Sequence, residues 1–142
     1  PLTALLRCPN GALLAHPATR NVALKVCTEA GTTFHKMYAR RFDKDMRVMH
    51  QQGLAPRIQP QVPRQLWSSS LVDETLRIAE VTSQNTSSML FDVLHGRNTE
   101  VEYINGHLCR LGKQHGVSTP TTKMLWDLML LREAIPLDTL VF

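Results

Sequence analysis

The chain has 142 residues, 43% of them hydrophobic, and a formal charge of +4 from 16 basic and 12 acidic side chains. That length and apolar content suit one domain with its own core and argue against disorder. No apolar run approaches the roughly 18–20 residues that span a bilayer, and Pro1-Leu2-Thr3-Ala4-Leu5-Leu6 lacks the layout of a signal peptide.

In chain order, Cys8-Pro9-Asn10-Gly11 reads as a turn, because proline fixes φ and Asn-Gly tolerates positive φ. A first helix is predicted from Pro17, a good first-turn residue, to Gly31, a good stop. Its apolar stripe is Val22, Ala23, Val26, Cys27 and Ala30. A basic helix is expected next, over about 33–49. Residues 32–70 hold seven Lys and Arg against two Asp, and the rest of the chain is close to neutral. Phe34, Tyr38 and Phe42 share one face there with Met46 and Met49, a spacing that suits packing better than base stacking. Gly53, Pro56, Pro60 and Pro63 then exclude a continuous helix, so residues 51–66 read as a loop or tether.

Ser70-Leu71-Val72-Asp73 can cap a helix running to Leu94, with Gly96 as its stop. Its middle, residues 82–88, is unusually polar: six of the seven are Ser, Thr or Asn, which compete with the backbone for hydrogen bonds. Helical periodicity sets Asn85, Ser88 and Asp92 on one side and Met89 and Val93 on another. Asn98 or Thr99 can cap the next helix, with Glu100 and Glu102 in its acidic first turn and Val101, Ile104, Leu108 and Leu111 as its stripe. Gly106 and Gly112 weaken that helix but permit close packing, and Gly116 ends it. Thr119-Pro120 starts the last helix, which carries Leu125, Leu128, Met129 and Leu131. No strand-type alternation occurs. The fold class is all-α, a bundle of four or five helices.

Cys8, Cys27 and Cys109 are odd in number and widely spaced, which fits reduced thiols in an intracellular protein. No His-x-x-x-His or Cys-x-x-Cys pair is present, so no metal is expected. From pattern alone the chain is a helical domain with one polar helix face.

Four blocks, in order, go further. They are Pro1-Leu2-Thr3-Ala4-Leu5 followed by Pro9-Asn10-Gly11, Asn85-Thr86-Ser87-Ser88-Met89-Leu90 with Asp92, Arg97-Asn98-Thr99-Glu100-Val101-Glu102-Tyr103-Ile104-Asn105-Gly106, and Gly116-Val117 with Thr119-Pro120. Together they cover most of the chain, and they resemble the C-terminal domain of the ketopantoate reductases (2-dehydropantoate 2-reductases). Only residues around 32–68 depart, as a basic, proline-containing insertion relative to compact bacterial forms.

The resemblance implies a helical bundle of the 6-phosphogluconate dehydrogenase C-terminal type, making residues 1–142 the substrate-binding domain. It implies NADPH-dependent reduction of 2-dehydropantoate to (R)-pantoate, on the route to pantothenate and coenzyme A. The cofactor would lie in an N-terminal Rossmann domain and not in this part. By match to the family's motifs, Asn10, Asn85, Ser88 and Glu100 are substrate contacts, and Glu100 also lies near the catalytic lysine. A small polar keto acid needs several fixed donors and acceptors, which a rigid helix can supply together. A carboxylate beside a lysine can hold it charged as a general acid. The family's lysine and two asparagines precede the Pro-Leu-Thr block, and this chain begins at that proline. Lys25, in a different helix, is no substitute, so the 142 residues alone are expected to be inactive.

The implied partners are 2-dehydropantoate or pantoate, the chain's own Rossmann domain, and a homodimer through the helical domain. No membrane or nucleic-acid partner is expected. The implied setting is intracellular, cytoplasmic first and mitochondrial second. The competing reading is a reductase-derived domain reused as an interaction or structural module, with the basic segment as its docking element.

Overall fold

The computed structural model describes residues 1–54 and 62–135. Six α-helices account for most of them: α1 (Leu2–Leu6), α2 (Pro17–Gln51), α3 (Ser68–Val81), α4 (Ser88–Leu94), α5 (His107–His115) and α6 (Pro120–Ala134). Two 3-10 segments, Asn10–Ala15 and Arg64–Leu66, and a π-helical turn, Glu102–Gly106, join them. No strand occurs among the described residues, so the all-α expectation holds. No helix there is long and apolar enough to cross a membrane.

α2 starts where expected, at Pro17, with the His16 side chain accepting from the Ala18 amide. It does not stop at Gly31. The two helices expected over 17–31 and 33–49 are one helix of 35 residues. Gly31 serves a close crossing instead: a Cβ there would lie 2.9 Å from Ser68 N and closer still to Ser68 Oγ. The missing side chain lets the start of α3 press against α2. Phe34, Tyr38, Phe42, Met46 and Met49 are all half-buried, as a packing stripe requires. Two cations of the basic segment have internal tasks: Lys36 Nζ donates to the Gly116 carbonyl at 3.2 Å and Arg40 to that of Gln114 at 2.7 Å. Both carbonyls lie at the C-terminal end of α5, where positive charge is favoured. The loop expected over 51–66 falls partly, at 55–61, outside the described residues. The chain leaves α2 at Gly53, with φ +70°, and re-forms at Arg64–Leu66.

The helix expected from about Ser70 to Leu94 is two helices. α3 begins at Ser68, so the capping pattern at Ser70 lies inside it. It ends at Val81, and α4 begins at Ser88. The polar run between them takes the hydrogen bonds that a helix would need. Thr82 Oγ1 donates back to the Ile78 carbonyl at 2.6 Å, the Asn85 amide donates to the Thr82 carbonyl at 2.8 Å, and Ser87 Oγ accepts from the Leu90 amide as the cap of α4. Gly96, with φ +63°, follows the end of α4 as expected.

The core joins α1, α4, the residue before the π turn, and α6: Ala4, Met89, Leu90, Val93, Val101 and Met129, with Leu5 and Trp126 packed on it. Ile104 was expected inside with Val101 but is exposed. The wider π turn over Glu102–Gly106 inserts about one residue, which rotates the succeeding turns by about 100°. Gly106 and Gly112 do permit close packing, against Trp126 and against Thr119 with the Val117 carbonyl respectively. On α6, Met129 is buried and Leu125 half-buried, whereas Leu128 and Leu131 are exposed, contrary to the expected stripe. Thr119 precedes α6 but makes no side-chain cap. The cap comes from Glu29 on α2. Its carboxylate accepts from the Thr121 amide at 2.8 Å, the Thr122 amide at 2.9 Å and Thr122 Oγ1 at 2.6 Å.

Candidate functional site

Asn10 opens the first 3-10 segment, with Pro9 setting its entry angle. Its amide donates to the Asn85 carbonyl at 3.1 Å, and the Gly11 amide donates to the Ser83 carbonyl at 2.9 Å. Asn10 Nδ2 donates to Thr82 Oγ1 at 2.9 Å. Two segments 72 or more residues apart in the sequence are thereby locked together. Gly11 makes the approach feasible, because a Cβ there would lie 2.5 Å from Ser83 Cβ and 2.9 Å from Ser83 Cα. A second tie holds the same linker: Thr3 Oγ1 and Ser87 Oγ are 2.7 Å apart.

Asn85 is therefore in a tight linker, not mid-helix, and it does not share a helix face with Ser88 and Asp92 as the periodicity implied. Its side chain is exposed. Ser88 is the first residue of α4, also exposed, with Met89 and Leu90 behind it in the core. Asn10 is half-buried, and one of its amide hydrogens is already committed to Thr82. Its Oδ1 can still accept.

Glu100 lies in the turn just before Val101, and its side chain is exposed. The turn is fixed by Thr99, whose Oγ1 accepts from the Val101 amide at 3.2 Å and donates to Glu133 Oε1 at 2.6 Å. The same Glu133 oxygen accepts from the Thr99 amide at 2.8 Å. Thr99 thus caps as expected. Val101 shares the core with Met89 and Leu90, which anchors the turn of Glu100 and the start of α4 in one packed cluster.

The geometry brings Asn10 and Asn85 into direct contact and puts Ser88 three residues on. Glu100 makes no hydrogen bond to them; its neighbour Val101 packs in the core with Met89 and Leu90, which follow Ser88. Asn85, Ser88 and Glu100 are exposed and Asn10 is half-buried. Two concavities lie elsewhere, one of about 470 Å³ between α5 and α6 and one of about 240 Å³ between α1, α2 and α3, and none of the four residues lines either. Thr3, Thr82 and Ser87 hold the linker that carries Asn85 and are missed by sequence reasoning. The only signal for them was the density of hydroxyl side chains near the Pro-Asn-Gly and Asn-x-Ser-Ser blocks. No group of three His, Cys, Asp or Glu among the described residues is placed to hold a metal ion.

Comparison with known proteins agrees with the fold. A 2-dehydropantoate 2-reductase of Pyrobaculum aerophilum is 31% identical over 134 residues, covering 94% of this chain and 39% of that protein. One of Shigella flexneri is 28% identical over 134 residues, covering 94% of this chain and 35% of that protein. The chain thus spans little more than a third of the length of these curated relatives. Among solved structures, a PanE/ApbA family ketopantoate reductase from Ralstonia eutropha JMP134 superposes with a TM-score of 0.61 at 22% identity, over 94% of this chain and 36% of that one, which is a likeness of fold. Residues 1–133 match the family described as ketopantoate reductase PanE/ApbA C terminal. Over nearly its whole length, the chain belongs to that family.

Proposed function

We propose that this chain is the substrate-binding part of an NADPH-dependent 2-dehydropantoate 2-reductase, acting with a dinucleotide-binding domain that forms the opposite wall of the site. The observation that carries the reading is the lock between Asn10 and the Asn85 linker. It ties the backbone of Asn10 to that of Asn85, three residues before Ser88, so the two motif blocks meet in space.

Within that reading, Asn85 and Ser88 hold the hydroxyl and carboxylate of the keto acid through side-chain donors. Asn10 Oδ1 accepts from a substrate hydroxyl. Glu100 hydrogen-bonds the substrate and keeps a neighbouring lysine charged as the proton donor to the developing alkoxide. NADPH supplies the hydride when bound. In this reading the cofactor lies in the dinucleotide-binding domain and not in these residues. Residues 1–142 form one substrate-binding domain in this reading, with 32–68 as its elaboration, in a cytoplasmic enzyme that can pair through its helical domain. Reuse as an interaction module is not favoured, since Lys36 and Arg40 of the basic segment are spent on capping α5.

The test is NADPH oxidation with 2-dehydropantoate, using the native polypeptide and, separately, residues 1–142. Turnover by the first and none by the second supports the reading. Absence of turnover by the native polypeptide, with its nucleotide domain folded and NADPH bound, refutes it.

A further inference from the structure

The groove between α5 and α6 has a volume of about 470 Å³, within the range of sites for small organic molecules. Cys109, Arg110 and Lys113 of α5 form one wall, residues 117–120 close one end, and Lys123 and Trp126 of α6 form the other wall. Three cations line it and no carboxylate does. Arg110 pairs with Glu102 at 2.5 Å and Lys123 pairs with Asp127, but all four side chains are about half exposed. Such pairs are worth little and exchange readily for a better anion. Lys113 has no carboxylate partner among the described residues.

The floor is an indole. The Arg110 guanidinium carbon is 6.0 Å and Lys123 Nζ 5.1 Å from the Trp126 ring centroid. Gly106 lets that ring lie close against the π turn, with Cζ2 only 3.0 Å from where a Cβ would be. The first amides of α6 are already taken by Glu29, so the attraction for an anion comes from the three side chains and not from the helix end.

We propose that this groove binds a small organic phosphate or carboxylate with a flat apolar body. The anion is held by Lys113 together with Arg110 and Lys123, and the body lies on Trp126. The site is separate from the surface of Asn10, Asn85, Ser88 and Glu100 and does not depend on the function proposed for it.

The probe is phenyl phosphate, titrated calorimetrically into the native polypeptide, with inorganic phosphate and phenol as the two halves of the ligand. Alkylation of Cys109 by iodoacetamide, read by peptide mass against Cys8, reports occupancy of the groove directly. Saturable phenyl phosphate binding is expected, tighter than either half. It should slow alkylation at Cys109 and not at Cys8, and weaken about tenfold in the Arg110→Gln/Lys113→Gln double variant. Asn85→Ala should leave it unchanged, which separates this site from the substrate surface. No saturable binding, binding without protection of Cys109, or an affinity indifferent to the double variant overturns the proposal. Inorganic phosphate binding as tightly as phenyl phosphate overturns the role of Trp126. Should the double variant fail to fold, Cys109 protection in the unaltered protein decides.

Discussion

Glu29 caps a helix that lies more than ninety residues further along the chain, using both carboxylate oxygens for three hydrogen bonds. Burial alone would push its carboxyl up, but the donors of Thr122 and Thr121 outweigh burial and hold it below the ordinary value of 4.5. A carboxylate with a depressed folded pKa stabilises the protein fully above its unfolded pKa, and that contribution is lost as pH falls through the folded pKa. Glu29→Gln should therefore cost about 1–3 kcal/mol near neutral pH. The gap between the two proteins should shrink as pH drops below 4.5, where the carboxyl gains its proton first in the unfolded and then in the folded chain. Urea unfolding at neutral and acid pH measures both, and a gap that stays constant contradicts the capping role. Nothing in the sequence marks Glu29, because its partners are distant and an acid in mid-helix looks like any solvated residue. Asn10, Asn85, Ser88 and Glu100 were legible only as motif residues. Their substitution is a separate test of the proposed function: Asn85→Ala and Ser88→Ala in the native polypeptide should each raise KM for 2-dehydropantoate about tenfold or more and leave KM for NADPH unchanged.

At the scale of elements, the helix starts at Pro17 and Pro120 and the stops at Gly96 and Gly116 were readable, since each rests on local backbone chemistry. The errors came where a local signal had two physical meanings. Glycine at 31 reads as a stop, but here it allows a crossing that depends on Ser68, a contact no local pattern reveals. The polar run at 82–88 was recognised as poor helix, yet periodicity carried the helix through it. The structure breaks there because hydroxyl and amide groups close their own turns. Two substitutions probe these joints. Gly31→Ala should destabilise by about 1–3 kcal/mol through overpacking against Ser68, even though alanine is the better helix former. Gly11→Ala should cost a similar amount by prising the 3-10 segment off Ser83. It should also raise KM for 2-dehydropantoate, because Asn10 and Asn85 lose their mutual anchor. Stability unchanged in either variant, by thermal or urea unfolding, would show that the crossing is looser than the geometry implies.

At the scale of the whole molecule, the core of α1, α4, Val101 and α6 backs the start of α4 and the turn of Glu100. The all-α class followed from the absence of strand alternation, and the family followed from ordered motifs. The exposed apolar side chains were not foreseen: Tyr103, Ile104, Leu128 and Leu131 belong to stripes or motifs that local periodicity assigned inward or left unassigned. The most direct measurement is steady-state reduction of 2-dehydropantoate by the native polypeptide with NADPH, alongside its Glu100→Gln variant. Efficient turnover by the native polypeptide is expected, with a loss in the variant that falls mainly on kcat. Normal turnover with Glu100→Gln, or no turnover of 2-dehydropantoate by the folded, NADPH-loaded protein, would contradict the proposed function.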